Sequence, residues 1–450
     1  MVLRAARPLL ITLLMLAAAG AAARPRVQAL AAELPQITHK RLLNDFQVSI
    51  ASTPYLGETM TIGLQTRYGA AFDPMDKGGL ANLVCQMFTR ATIDRTAKEI
   101  EGDLQYLGAR LDIRCDWDGI RFILEVPSSR FERALLLLYQ VVGEAVFEEA
   151  DFARVKAEAL KRLAAPGDPR RIARERFEIE LFRGTTFGRP LQGTSASVGN
   201  ITLGDVRYFH RRFFSPNAAS LVVVGSAPAA VVMQKAARIW GVWVRNDETP
   251  FTFLPAKMPA SRPVTLVDDP GSVAAQFILG NLWVTRDDPG YYPAVLAARI
   301  LQERLTQRLP TSLVTVAFEA RRLSGPFWVQ GQAAADAAAG EIEKILRAVE
   351  EFRSATVSPA ELAAAQKSLT DEYRKSLGST ASLCALMMDA ELYRLGTNYM
   401  VSYPDLLTRT PLDAVAAAAK QWVFPSGALI VVRGPAAALK PALEKLGTLQ

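Results

Sequence analysis

Two histidines and three cysteines are the whole stock of imidazole and thiol chemistry in this chain of 450 residues. His39 and His210 stand far apart, and neither has a partner at metal-ligand spacing. Neither His-x-x-Glu-His nor His-Glu-x-x-His, the two helical arrangements that hold zinc between imidazoles, occurs anywhere. His39 is expected just ahead of the first strand and His210 on the helix before Phe213, each as a packed or capping imidazole. Cys85, Cys115 and Cys384 form no Cys-x-x-Cys pair, so neither a zinc knuckle nor a dense disulfide framework is signalled. In an oxidising compartment Cys85 and Cys115 are the pair that can bridge, because the helix carrying one is expected to pack on the strand carrying the other. Inert buried thiols are the other reading.

The elements that must position these residues come in two copies. "FFSPNAASLVVVG", Phe213 to Gly225, is echoed by "WVFPSGALIVVRG", Trp422 to Gly434, with both the prolines and the final glycines 209 residues apart. Each copy reads as a turn, a β-branched strand and a terminal helix. Earlier in each half a strand leads through an Asp-Pro turn (Asp73-Pro74, Asp288-Pro289) into a helix of small and aliphatic residues. Two strands follow in each, over 109–115 and 120–126 and again over 313–318 and 327–333. Ser129 with Glu132 predicts a capping box, and Ser358, Pro359 and Glu361 predict another. The fold class is therefore α+β: two homologous domains, each a mostly antiparallel sheet packed with helices. A chain this long exceeds a single growing core, which agrees. The aperiodic stretch from Gly241 to Pro263 reads as the connector, dividing the chain into domains at 38–241 and 263–450 with a linker at 242–262. Its aromatics Trp243, Phe251 and Phe253 are expected to lie against one domain.

The order "LLNDFQVSI", "RYGAAFDPMDKGGLANLVCQMF", "FGRPLQGTSASVGNITLGDVRYFHRRFFSPNAASLVVVG" resembles the pitrilysin/insulinase-type metallopeptidases, the inverzincins, and their relatives the mitochondrial processing peptidase subunits. The likeness spans about residues 38–447. Gly188-Arg189-Pro190, Gly193-Thr194, Ser197-Val198 and Thr202 fall at the family's spacing, and "SPAELAAAQKSL" from Ser358 is a second match. The resemblance implies two α+β domains forming a clam-like half, two such halves enclosing a peptide chamber.

Active members carry His-x-x-Glu-His where this chain has Asn82-Leu83-Val84-Cys85-Gln86. Residues four apart share a helix face, so two imidazoles hold one zinc and the neighbouring glutamate deprotonates the bound water. Here Asn82 and Gln86 take the histidine positions and Cys85 the glutamate position. The third ligand, a later glutamate, falls at Arg162. Neutral amides are poor zinc ligands, a thiol does not replace the carboxylate base, and a guanidinium repels the cation. No metal, no cofactor and no catalytic residue is expected in this chain; zinc is expected only in a partner subunit. Cys85 as a nucleophile, with Arg162 for charge, would still lack an acid. The family's second-domain glycine-rich loop is also missing. Arg304 or Arg308 remains to stand in for its arginine, Leu313 holds the tyrosine position, and Pro310 suggests a shortened loop.

Composition and the N-terminus place the protein. Half of the residues are hydrophobic and 22% are charged, as in ordinary globular chains. Residues 1–23 set Arg4 and Arg7 ahead of an apolar run ending in small residues, the layout of a secretory signal peptide cleaved after Ala23 or Ala31. A mitochondrial presequence is the rival, but residues 8–23 are apolar on every face. No other segment has the length of a membrane span. The net charge of +7 falls to +5 when Arg4 and Arg7 leave. The basic residues do not interleave with aromatics, so no nucleic-acid surface is implied. The run of Arg170, Arg171, Arg174 and Arg176 reads as a solvated helix face. The expected function is that of an exported, inactive pseudo-peptidase subunit, periplasmic, pairing with an active zinc metallopeptidase chain of the same family and binding peptides. The alternative is a self-associated peptide-binding or scaffold protein, and the remote one an active peptidase.

Overall fold

The computed structural model describes residues 35–450 except 166, 248–252, 311–312, 355–356 and 426. The signal peptide read at 1–23, both cleavage positions and Phe251 of the connector lie outside the described residues.

The first half runs through strands β1 (Ile37–Arg41), β2 (Gln47–Ser52) and β3 (Thr59–Thr66) into helix α1 (Leu80–Met87). A small hairpin, β4 (Ala91–Thr92) with β5 (Arg95–Thr96), leads to α2 (Ala97–Leu107), β6 (Arg110–Cys115) and β7 (Ile120–Pro127). Helices α3 (Phe131–Gly143), α4 (Glu149–Ala164), α5 (Pro169–Leu181), α6 (Ser195–Gly199) and α7 (Leu203–Phe213) precede β8 (Ala219–Gly225) and α8 (Ala229–Trp240). In the second half, β9 (Pro263–Asp268) and β10 (Ala274–Leu282) lead through α9 (Tyr291–Arg308) to β11 (Thr315–Phe318) and β12 (Pro326–Ala334). Five helices follow, α10 (Ala338–Ser354), α11 (Pro359–Ser376), α12 (Thr380–Leu392), α13 (Tyr399–Arg409) and α14 (Leu412–Trp422), then β13 (Leu429–Gly434), α15 (Ala436–Leu443) and β14 (Thr448–Leu449).

The duplication is visible in the sheets. One has the order β1-β2-β8-β3-β7-β6 and the other β14-β9-β13-β10-β12-β11, strand for strand the same arrangement. The register agrees too: Gly63 faces Val222 and Ile278 faces Val431, and the two valines are 209 residues apart. Only the outermost strand differs, β1 running antiparallel to β2 but β14 parallel to β9.

The unbroken apolar run of β8 has a tertiary cause. Leu221 and Val223 point into the first half's core, whereas Val222 and Val224 pack with Leu383, Cys384, Met387 and Met388 of α12, a helix of the other half. The exchange is reciprocal: Ile278 and Val431 of the second sheet join the first half's core, against α5. A sheet covered on both faces reads as continuous rather than alternating hydrophobicity. Phe177 of α5 is fully buried over Gly280, where a Cβ would stand 2.4 Å from its ring; glycine is what lets the helix approach so closely.

Charge seals the same contact. Arg174 stacks 3.4 Å above the Trp328 ring and donates to Glu178 (2.6 Å) and Glu319 (2.9 Å). Arg321, from the β11–β12 turn, reaches back to Glu178 at 3.1 Å and to Glu319. The solvated face read for the arginine run is thus corrected at Arg174, which docks the two halves; Arg171 and Arg176 make i,i+4 pairs with Glu175 and Glu180.

Two further readings change. Ser129 lies in a 3₁₀ turn ahead of α3, which starts after Arg130 without a side-chain cap, and Glu132 instead pairs with Lys235 and Arg238. His39 lies inside β1, its Nδ1 2.8 Å from Ser49 Oγ and 3.3 Å from Glu391 of α12. The box at Ser358 and Glu361 forms with Pro359 in the first turn, as the spacing predicts. Trp243 packs on Phe46 and Trp240, and Phe253 on Phe72 and Phe187, so both described aromatics of the connector lie against the first half. Among the described residues no helix is long and apolar enough to cross a membrane.

Candidate functional site

Helix α1 is placed by its N-terminus. Asp73 accepts from the backbone N–H groups of Gly79 (2.8 Å) and Ala81 (2.9 Å), two donors the helix itself cannot satisfy. Gly79 precedes the helix at φ +94, and a Cβ there would stand 2.5 Å from Gln192 O, so only glycine fits the entry. The segment from Phe187 to Asp205 closes over this entry. Arg189 donates to the carbonyls of Ala70 (3.0 Å), Asp73 (2.8 Å) and Pro74 (2.9 Å), Ser197 Oγ to Gly78 O (2.8 Å), and Lys77 pairs with Asp205 at 2.7 Å. Thr194 and Thr202 each cap the next helix with a reciprocal box. The run from Gly188 to Thr202 that falls at the family's spacing is therefore the clamp on α1.

Burial pushes the Asp73 carboxyl up to about 7, against the opposing pull of the Ala81 and Gly79 N–H groups and the Arg189 guanidinium. It was not singled out as a site residue; its position six residues before Gly79 was the available signal.

Asn82 and Gln86 lie on one face of α1, a turn apart. Gln86 Nε2 donates to Asn82 Oδ1 at 2.8 Å and to Asn82 O at 3.2 Å, and its Oε1 accepts from Arg162 Nη2 of α4. Arg162 of α4 thus lies against Gln86 of α1. Both ends of the Gln86 amide are used, and the group facing them is a cation. This set does not fit zinc: two neutral amides, bonded to each other, with a guanidinium where a carboxylate would have to be.

Cys85, one turn along from Asn82, is buried between α1 and the sheet, where its thiol meets that of Cys115 on β6. The Cys115 thiol is raised well above its ordinary range, first by its hydrogen bond with Cys85 and then by burial. All three cysteines are free thiols. The bridge weighed for Cys85 and Cys115 is absent, although the packing that suggested it is present. Cys115, held neutral in this way, is a poor nucleophile.

The remaining residues of the sequence reading are scattered. His210 on α7 bonds Val142 O at 2.8 Å, stacks on Phe214, and is lowered from its usual value by burial. Arg304 makes a bidentate pair with Glu361 (2.6 and 3.0 Å) and Arg308 pairs with Glu351, so each arginine already faces a carboxylate. Glu361 is lowered to about 2, chiefly by Arg304. Leu313 is 72% exposed beside a small cleft shared with Arg170 and Thr315.

Between the halves lies a cavity of about 590 Å³, walled by the β6–β7 turn, α5, the Arg189–Gln192 segment and the β11–β12 turn. Among the described residues no three His, Cys, Asp or Glu side chains converge as a metal cage.

Comparison with known proteins gives a consistent picture. Residues 48–195 match the model of the insulinase family (peptidase family M16), and residues 200–369 that of the peptidase M16 inactive domain. An uncharacterized zinc protease of Rickettsia felis is 22% identical over 218 residues, 48% of this chain and 52% of that one. A probable mitochondrial-processing peptidase subunit beta of Arabidopsis thaliana is 21% identical, over 52% of this chain and 45% of its own. The chain spans about half the length of these relatives. In three dimensions, the M16 inactive domain from Pseudomonas fluorescens superposes with a TM-score of 0.82 at 20% identity, covering 89% of this chain and 98% of that one.

Proposed function

The chain belongs to the insulinase (M16) family of peptidases, and we propose that it is a non-catalytic member, an exported subunit that pairs with a zinc-bearing sister chain to form a peptide-binding chamber. The observation that carries the reading is the closed set Arg162–Gln86–Asn82. Helix, strand and clamp are all in place around it, yet the side chains satisfy one another rather than a cation. Nothing in the set can activate water: amides have no useful basicity, and the thiol beside them is buried and hydrogen-bonded.

A peptide role survives the loss of chemistry. Strand β6 is the outer edge of its sheet, next to α1, and an edge presents unpaired backbone groups to which an extended peptide adds as a strand. Export rests on residues 1–23, and the periplasm is the compartment this leader suggests. Zinc belongs to the partner.

The test combines metal analysis with mass in solution, on protein isolated from its own cells. The expected result is zinc far below one equivalent in the separated chain, no peptide cleavage by that chain alone, and copurification with a chain bearing His-x-x-Glu-His. One equivalent of zinc, or cleavage abolished by a chelator in the isolated chain, refutes the reading. A self-associated species holding peptide without a zinc-bearing partner would instead favour the scaffold alternative.

A further inference from the structure

Tyr291 opens α9 and Tyr393 follows α12, and both line the cavity of about 590 Å³ between the halves. Tyr291 is only 9% exposed, yet its hydroxyl makes no hydrogen bond among the described residues, and neither does that of Tyr393. Burial raises both phenols above their ordinary value, so each stays protonated as a donor. An unused hydroxyl on so buried a ring calls for an acceptor in the cavity.

Arg286, on the loop leading into α9, shares this wall. Its guanidinium lies 4.0 Å from the centre of the Tyr291 ring, donates to the Tyr399 hydroxyl, and makes no ion pair among the described residues. Asp389 of α12 lines the same cavity, and its charge acts on Arg286 and on both phenols. Its direct ion pair, at 2.7 Å, is with Arg121 instead. Asp116 of the β6–β7 turn adds a second carboxylate, one oxygen taken by the N–H groups of Asp118 and Gly119, the other 3.9 Å from Arg121. The other charged side chains of the wall are engaged: Arg321 with Glu178 and Glu319, Glu175 with Arg171, Arg189 with backbone carbonyls. A cation and an anion therefore face one cavity without closing on each other. A simple anion there meets the field of Asp389, and a simple cation that of Arg286. A ligand carrying a carboxylate and an ammonium close together satisfies both, with Trp117 and Phe318 as apolar wall for its body.

We propose that this cavity binds a small zwitterion of the amino-acid class, its carboxylate on Arg286 and the Tyr291 and Tyr393 hydroxyls, its ammonium toward Asp389 and Asp116. Free amino acids and short peptides both carry this pair of groups. The site shares no residue with the Asn82, Gln86 and Arg162 set, so it stands or falls independently of the proposed function. Because the walls come from both halves, binding stabilises the folded chain by mass action.

The probes are L-phenylalanine and glycyl-L-phenylalanine, titrated into the mature chain by calorimetry and followed by thermal melting. At least one should bind saturably and raise the melting temperature, and which binds more tightly tells a free amino acid from a peptide. The N-acetylated form of the tighter probe lacks the ammonium and its C-terminal amide lacks the carboxylate; each should bind about tenfold or more weakly. Tyr291→Phe and Tyr393→Phe should each weaken binding about tenfold while leaving the ligand-free melt unchanged, since neither hydroxyl bonds to protein among the described residues. Arg286→Gln should close the gap between the tighter probe and its amide; should that variant fail to fold, the two tyrosine variants still decide. No saturable binding of either probe, blocked forms that bind as well as the free ones, or wild-type affinity in both tyrosine variants overturns the proposal.

Discussion

Replacing Arg321 with methionine removes a cation that is only 6% exposed and leaves Glu178 and Glu319 behind. Breaking a buried pair by deleting one partner costs roughly 3–5 kcal/mol, because the surviving charge stays desolvated. Two features reduce this. Arg174 remains within 2.6 Å of Glu178 and 2.9 Å of Glu319, and Glu319 is 46% exposed, so water screens part of its charge. The expected loss is therefore about 2–4 kcal/mol, which for a half of roughly 200 residues lowers its melting temperature by about 5–15 °C. Urea titration followed by tryptophan fluorescence measures it, and Trp328 and Trp117 lie close enough to report the seam. The pH dependence carries a second check. Burial alone would raise the Glu319 carboxyl, but Arg321 and Arg174 outweigh burial and hold it below the usual range. A depressed carboxyl contributes stability above its unfolded value and loses it as the pH falls through the folded one. The penalty of Arg321→Met should thus shrink on acidification, and adding Glu319→Gln, which leaves Arg174 its pair with Glu178, should restore part of the loss at neutral pH. A variant within about 0.5 kcal/mol of wild type at pH 7, or a penalty that does not change on acidification, would refute the view that this cation joins the halves.

Two further outcomes are expected. The quadruple variant Asn82→His, Cys85→Glu, Gln86→His, Arg162→Glu should take up about one equivalent of zinc by plasma emission analysis, because the helix and α4 already hold those positions in register; wild type should take up far less. Asp73→Asn bears on pH. Its carboxyl is raised to about 7 by burial, so its contribution is present in full below the unfolded value and is lost as the pH rises through the folded one. Between about pH 4 and 7 the asparagine variant should gain on wild type by about 2–4 kcal/mol, read from denaturation midpoints across that range; a constant difference would show that Asp73 stays ionised throughout.

How much of this was readable beforehand differs by element. The capping box at Ser358 and Glu361 lies within four residues and formed as the spacing predicts. The box at Ser129 obeyed the same local rule and did not form, because Lys235 and Arg238 of α8 claim Glu132. Arg162 was singled out by the register of the family resemblance alone, and its contact with Gln86 depends on the packing of α4 against α1. Arg174 has the same kind of neighbours as Arg171 in sequence, yet one stacks on Trp328 and the other stays in solvent. Nothing local distinguishes them.

From the residues alone came the duplication, the strand and helix types, and the lack of a His-x-x-Glu-His pattern, since each depends on identity and short-range spacing. Only the tertiary structure decided that α5 and α12 are exchanged between the halves, that Arg304 and Arg308 each face a carboxylate, and that Arg286, Tyr291 and Tyr393 meet at one cavity. The reason is range. Propensity and capping act within a turn or two of chain, whereas a buried charge or a doubly covered strand is defined by whatever a distant segment brings to it.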